Sequence, residues 1–68
     1  MAGWGDDPLL VELRTLLYED GWRPVEVTEG RDGDTVVVEG PDGSRRTFSS
    51  DHIAFHRFVE GLHEDFEI

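Results

Sequence analysis

The stretch that decides the fold is residues 22–48, WRPVEVTEGRDGDTVVVEGPDGSRRTF. Its β-branched residues alternate with polar ones, which favours strands that bury one face and expose the other. The pattern predicts three strands, at residues 22–29, 35–39 and 44–48, separated by two short segments rich in glycine and aspartate. Loops this short make neighbouring strands pair in chain order, so we expect a three-stranded antiparallel meander.

The alternation also predicts which strand residues face the core. The inward positions are Val25, Val27, Val36 and Val38. The outward positions are Glu26, Thr28, Thr35, Val37 and Glu39. On that outer face we expect Arg45, from the third strand, to pair across the sheet with Glu39.

A helix is predicted before the strands, at residues 8–20. Asp7 is a suitable N-cap, and Pro8 fits the first helical position, where a missing N–H costs nothing. Gly21 follows in the position that commonly takes a left-handed conformation. Leucines with helical spacing predict the buried face: Leu9, Leu10, Leu13, Leu16 and Leu17.

A second helix is predicted after the strands. Ser49 or Ser50 is expected to cap it, with Asp51 in its first turn near the positive end of the helix dipole. Gly61 is a position where this helix can end early. Its apolar face is predicted to contain Phe55, Phe58, Val59, Leu62 and Phe66.

The predicted elements make one small α+β domain over residues 1–68, in the order α-β-β-β-α. Because each helix has one apolar face and the sheet has one, we expect both helices to pack on the same face of the sheet. Residues 1–6 are expected to form a flexible N-terminus. A chain of 68 residues has no room for a cofactor-binding α/β unit or a second domain.

The charge of the chain excludes several classes of protein. It has 6 Lys+Arg against 16 Asp+Glu, a net charge of −10 and no cysteine. Direct binding to nucleic acid or to an anionic membrane is not expected, because both need clustered basic side chains. Without cysteine there is no disulfide and no thiolate metal site. No apolar run long enough for a membrane span and no signal-peptide pattern are present, so we expect a cytoplasmic protein.

No pattern of residues predicts an enzyme. Residues 49–52 contain the residue types of a hydrolase triad, but neighbours at a helix start point in different directions. Residues 32–34, Asp-Gly-Asp, are typical of a hairpin turn, and Val36 stands where a further calcium ligand would be needed. We therefore expect neither catalysis nor a cofactor.

Three histidines share one side of the second predicted helix. His52 and His56 have the i, i+4 spacing that can place two imidazoles on one metal ion, and Glu60 continues the same side. His63, however, lies about 10.5 Å further along the helix than His56. The pair His52 and His56 is thus a weak metal candidate, and the favoured interpretation is that these are border positions between core and solvent, with no metal.

The acidic surface is the main candidate for function. We expect a basic protein surface to bind its carboxylates, with Trp4 as a possible aromatic anchor because tryptophan is enriched in binding hot spots. The candidate residues are Glu26, Glu39, Glu60, Glu64, Asp65 and Glu67. In size and charge alone, the chain resembles the small acidic inhibitors that phages and mobile elements encode, including anti-CRISPR and anti-restriction proteins. This resemblance implies an inhibitor that mimics nucleic acid and occupies the basic channel of a nucleic-acid-binding protein.

An alternative interpretation explains the acidity by solvation. The chain has six arginines and no lysine, which favours a GC-rich genome, and a surplus of Asp and Glu is common in high-salt cytoplasms. In that case the protein is a small cytoplasmic domain with an interaction or regulatory role. The exposed Val37 permits a weak homodimer without requiring one, so a monomer or a weak homodimer is expected.

Overall fold

The computed structural model describes residues 7–68 and confirms the predicted α+β architecture. The elements are α1 (Pro8–Tyr18), β1 (Arg23–Gly30), β2 (Gly33–Glu39), β3 (Arg45–Ser50) and α2 (Ile53–Asp65). The strands form one antiparallel sheet in the order β1-β2-β3. The predictions for residues 1–6, including the anchor role of Trp4, lie outside the described residues.

The start of α1 agrees with its sequence signals, and its end comes earlier than predicted. The Asp7 carboxylate accepts a hydrogen bond from the Leu9 N–H at 3.0 Å, and Pro8 occupies the first turn. The helix ends at Tyr18 instead of residue 20, because the N–H groups of the next two residues both donate to the Thr15 carbonyl. Gly21 then reverses the chain with a φ of 82°.

The first strand contains an irregularity that the sequence pattern did not predict. The register shifts between Pro24, which pairs with Val38, and Glu26, which pairs with Val37. Pro24 is buried as a result and Val25 is exposed, so the prediction that Val25 faces inward is wrong. A bulge adds one residue to a strand, so side chains before and after the bulge alternate between the two sheet faces in opposite order. Val27, beyond the bulge, does pack against the core.

The boundary between β3 and α2 also differs from the prediction. Ser49 and Ser50 belong to β3, where they pair with Thr35 and Asp34, so neither caps the helix. The N-cap is His52, whose side chain makes no capping hydrogen bond. The Ser50 hydroxyl accepts instead from the His52 N–H at 3.1 Å.

The prediction for Asp51 is wrong for the same reason, since this residue precedes α2 and the first turn of the helix contains no acidic residue. Gly61 does not end the helix either, which continues to Asp65. A helical glycine costs roughly 1 kcal/mol relative to alanine. The apolar contacts of the neighbouring turns, made by Val59 and Leu62, offset that cost.

A single core fills the space between the two helices and one face of the sheet. Val36 and Val38 are fully buried, as the alternation predicted. The buried apolar residues are Leu10, Leu13, Leu16, Leu17, Val36, Val38, Phe48, Phe55, Val59 and Leu62. Because residues of both helices belong to this cluster, the prediction that both pack on one sheet face is confirmed.

Two features shared by α1 and α2 show the relative direction of the helices. Leu10, in the first turns of α1, lines one surface groove together with Ile53 and Ala54 at the start of α2. Near the other end of α1, the Tyr18 hydroxyl donates to Asp65 at 2.6 Å. The two helices therefore lie side by side in the same general direction, with their C-terminal ends together. Within residues 7–68, neither helix has the length and apolar character that crossing a membrane requires.

Candidate functional site

Asp34 is a buried carboxylate at the start of β2. Its exposed fraction is 3 %, and among residues 7–68 it is the only buried residue with a charged side chain. It lies two residues before Val36, in the same inward-facing row. The sequence pattern predicts a turn at Asp34, because the predicted strand begins at residue 35. Extending the alternation of Val36 and Val38 by one step would have identified it.

His56 of α2 lies directly against this carboxylate. Its Nδ1 is 2.6 Å from Oδ2 of Asp34, close enough for a short, charge-assisted hydrogen bond. That hydrogen bond is the main reason why the pKa of His56 is raised above its ordinary value. On the other side of the ring, Nε2 is 3.3 Å from a carboxylate oxygen of Glu60. The imidazole of His56 is therefore held between two carboxylates.

Glu29 adds a third carboxylate to the same place. It is the cross-strand partner of Asp34, so both side chains lie on the face that α2 covers. One ligand-type atom from each of Glu29, Asp34 and His56 lies within 4.8 Å of the other two. We call these three residues the histidine–carboxylate cluster.

His63 extends the contacts of Glu29. Its Nε2 is 3.4 Å from Oε2 of Glu29, and its Nδ1 is 2.7 Å from the carbonyl oxygen of Ile68. The hydrogen bond with that carbonyl, followed by the contact with Glu29, raises the pKa of His63. His56 and His63, which lie about two turns apart on α2, thus both face carboxylates of the strands.

His52 behaves differently from His56. Both line a polar depression of about 280 Å³ between the β1–β2 turn and the start of α2, together with Asp34. His52 is exposed and does not belong to the group of ligand-type atoms that lie within 4.8 Å of one another. Of the predicted histidine pair, only His56 belongs to the cluster. Its neighbours there are the carboxylates of Glu29 and Asp34 instead of His52.

The outer face of the sheet is charge-balanced. Glu39 lies between two arginines, with carboxylate–guanidinium distances of 3.5 Å to Arg23 and 3.9 Å to Arg45. The cross-strand pairing of Glu39 with Arg45 confirms the prediction. Glu26 is exposed on the same sheet. Two arginines and two glutamates cancel on this face, so it does not present an array of unpaired carboxylates.

The C-terminal ends of α1 and α2 form the most acidic region of the described chain. Tyr18 joins them through its hydrogen bond to Asp65 and through ring contacts with Phe58 and Phe66. Partial burial of the Tyr18 ring, followed by the hydrogen bond to Asp65 and the negative charge of that carboxylate, raises the pKa of Tyr18 to about 12. We call the exposed carboxylates of this region the acidic end; they are Glu19, Asp20, Glu64, Asp65 and Glu67.

The predicted partner-binding residues are divided among these regions. Glu64, Asp65 and Glu67 lie at the acidic end, Glu60 lies beside His56, and Glu26 and Glu39 lie on the sheet. The described chain thus offers two candidate sites of different chemistry, the histidine–carboxylate cluster and the acidic end. No protein-family model, curated protein or solved structure matches the chain.

Proposed function

We propose that the protein is a small docking module that binds a basic protein surface through its acidic end. The observation that carries this proposal is the convergence of two helix C-termini, joined by Tyr18 and Asp65, at a place crowded with carboxylates. The proposed partner is a cytoplasmic protein whose basic surface otherwise binds nucleic acid, and the docked module inhibits it by occupying that surface.

The electrostatics of the acidic end favour a cationic partner. The C-terminus of a helix carries a partial negative charge, so carboxylates placed there repel it and basic residues would stabilise it. Neither α1 nor α2 has a lysine or arginine in its last turn; the only basic residue there is His63. A basic partner supplies the missing positive charge, which relieves repulsion that the free protein retains.

The arginines of the sheet strengthen this polarity. Arg23 and Arg45 pair with Glu39, and Arg46 pairs with Glu12 of α1. These pairs engage three arginines with Glu39 and Glu12, whereas the last turns of α1 and α2 contain no lysine or arginine. We therefore omit Glu26 and Glu39 from the proposed docking surface.

Inhibition follows from competition for the same cations. Carboxylates spaced on a rigid scaffold offer a basic channel the charge that phosphates would offer, and bound protein excludes the nucleic acid sterically. The net charge of −10 attracts a basic partner at long range, so the association rate falls as salt screens the charges.

The test is affinity capture from the host followed by reconstitution with each captured nucleic-acid-binding protein in pure form. Charge reversal at the acidic end, Glu64→Lys with Glu67→Lys, is expected to weaken binding at least about tenfold. The control, Glu26→Lys, changes the charge of the outer sheet face, and we expect less than about a twofold effect because Glu26 lies outside the proposed docking surface and its long-range effect is screened by salt. Duplex DNA is expected to compete with the module. The proposal would be contradicted if the control variant lost as much binding affinity as the charge-reversal variant. It would also be contradicted if neither salt nor duplex DNA weakened the complex.

A further inference from the structure

We propose that the histidine–carboxylate cluster binds a divalent ion of the zinc class, with Glu29, Asp34 and His56 as its ligands. The cluster is separate from the acidic end, so this site goes beyond the docking function. Imidazole nitrogen and carboxylate oxygen are both zinc ligands, and three protein ligands leave a position for water or a further group.

The topology brings the three ligands together from three elements of the fold. Glu29 ends β1 and Asp34 begins β2, and the tight turn between them sets the two side chains side by side. His56 approaches from α2, which covers that face of the sheet. Because His56 reaches Asp34 only when α2 is packed on the sheet, the site forms only in the native state.

The distances suit an ion. Because the three ligand-type atoms lie within 4.8 Å of one another, there is a point that lies within about 2.8 Å of all three. Zinc bonds to nitrogen and oxygen are about 2.0–2.2 Å long, so the ligands need to close by less than about 1 Å. The exposed Glu29 can supply most of that movement, whereas Asp34 is fixed by burial.

Neighbouring side chains hold the ligands in orientation. A metal-bound histidine usually donates its other ring N–H to a carboxylate. Nε2 of His56 is 3.3 Å from Glu60, which fits that role when Nδ1 is the ligand atom. Nε2 of His63 is 3.4 Å from Glu29, so a second imidazole contacts a carboxylate that is itself a proposed ligand. The cluster therefore has the outer contacts that metal sites typically possess.

Charge and proton balance are simple. Without metal, one proton lies between Nδ1 of His56 and Oδ2 of Asp34, at 2.6 Å. The ion takes the place of that proton, which leaves to solvent, and the two atoms separate to the spacing of neighbouring ligands. Two carboxylates and a neutral imidazole then neutralise a divalent ion. Hard ions such as Mg²⁺ and Ca²⁺ prefer all-oxygen shells, so the imidazole selects against them.

The experiment uses the whole chain, freed of metal with a chelator and titrated with ZnCl₂ and with CoCl₂. We expect one ion per chain, and a rise of about 10–20 °C in the unfolding midpoint at 100 times the dissociation constant. Bound Co²⁺ is expected to show the intense visible absorption of a low-coordinate site. His56→Gln and Glu29→Gln are each expected to weaken Zn²⁺ binding at least about tenfold. Glu29 is exposed, so its variant remains informative even if His56→Gln lowers the stability of the fold.

Two control variants separate a site from general attraction to an acidic protein. His52→Gln removes a neighbouring imidazole and Glu64→Gln removes one negative charge elsewhere, and each is expected to change Zn²⁺ affinity less than about twofold. The proposal is overturned if Zn²⁺ does not bind, if Mg²⁺ binds equally well, or if the controls weaken binding as much as the ligand variants do.

Discussion

The Nδ1 atom of His56 lies 2.6 Å from Oδ2 of Asp34, and this contact fixes α2 to the start of β2. Asp34 is buried whereas His56 is about half exposed, so the pair places a carboxylate inside the fold and its partner at the surface. Burial of a carboxylate is costly unless a partner compensates it. The stability of this end of the sheet therefore depends on His56 as well as on the apolar core.

The first prediction tests that dependence in the metal-free protein. His56→Gln is expected to lower the urea midpoint of unfolding, because Asp34 then loses its hydrogen-bond partner while it stays buried. His52→Gln is the matched control, since His52 is exposed at the helix N-cap and its side chain makes no capping hydrogen bond. Chelator-treated samples are compared by urea titration. Equal midpoints for the two variants would show that the pair does not stabilise the fold.

Local signals were sufficient to predict the elements, and long-range pairing explains the errors. The N-cap at Asp7 and the buried valines of β2 follow from short patterns. The exposure of Val25 depends on a bulge that is defined only by the pairing of β1 with β2. Ser49 looks like a helix cap in isolation, but it pairs with Thr35 across the sheet. The partners of Asp34 were unpredictable because they come from β1 and α2.

The second prediction concerns two glycines with opposite surroundings. A Cβ at Gly40 would lie 2.8 Å from the ring of Trp22, so Gly40→Ala is expected to destabilise the fold by about 1–3 kcal/mol. At Gly61 nothing lies within 4 Å of an added Cβ, so Gly61→Ala is expected to stabilise α2 by about 0.5–1 kcal/mol. Urea unfolding of both variants measures whether each substitution raises or lowers the free energy of unfolding. Destabilisation by Gly61→Ala would contradict the exposed position of this residue in α2.

The third prediction uses the single tyrosine of the chain as a probe of the two helix ends. The pKa of Tyr18 in the folded protein is about 12, above its ordinary value of 10.0, because of burial and the Asp65 carboxylate. The hydroxyl therefore contributes stability that is complete below pH 10 and is lost as the pH rises through the folded pKa.

An absorbance titration of tyrosinate measures this shift. At pH 11 about one tenth of Tyr18 is expected to be ionised in the native protein, against about nine tenths in urea. Asp65→Asn is expected to lower the native pKa without restoring the ordinary value, because the ring remains packed against Phe58 and Phe66. Identical titrations in buffer and in urea would show that Tyr18 does not join the helices.

The last prediction separates the docking function from adaptation to salt. KCl screens the repulsion among the carboxylates of the acidic end, and the screening length falls to about 3 Å at 1 M. We therefore expect the unfolding midpoint to rise with KCl and to level off below about 1 M. Glu64→Gln is expected to reduce this rise more than Glu26→Gln does, because Glu26 shares its sheet face with Arg23 and Arg45. The unfolding midpoint of both variants could instead keep rising equally through several molar KCl. Because screening is already complete at those concentrations, that result would favour the alternative interpretation, in which the acidity serves solvation.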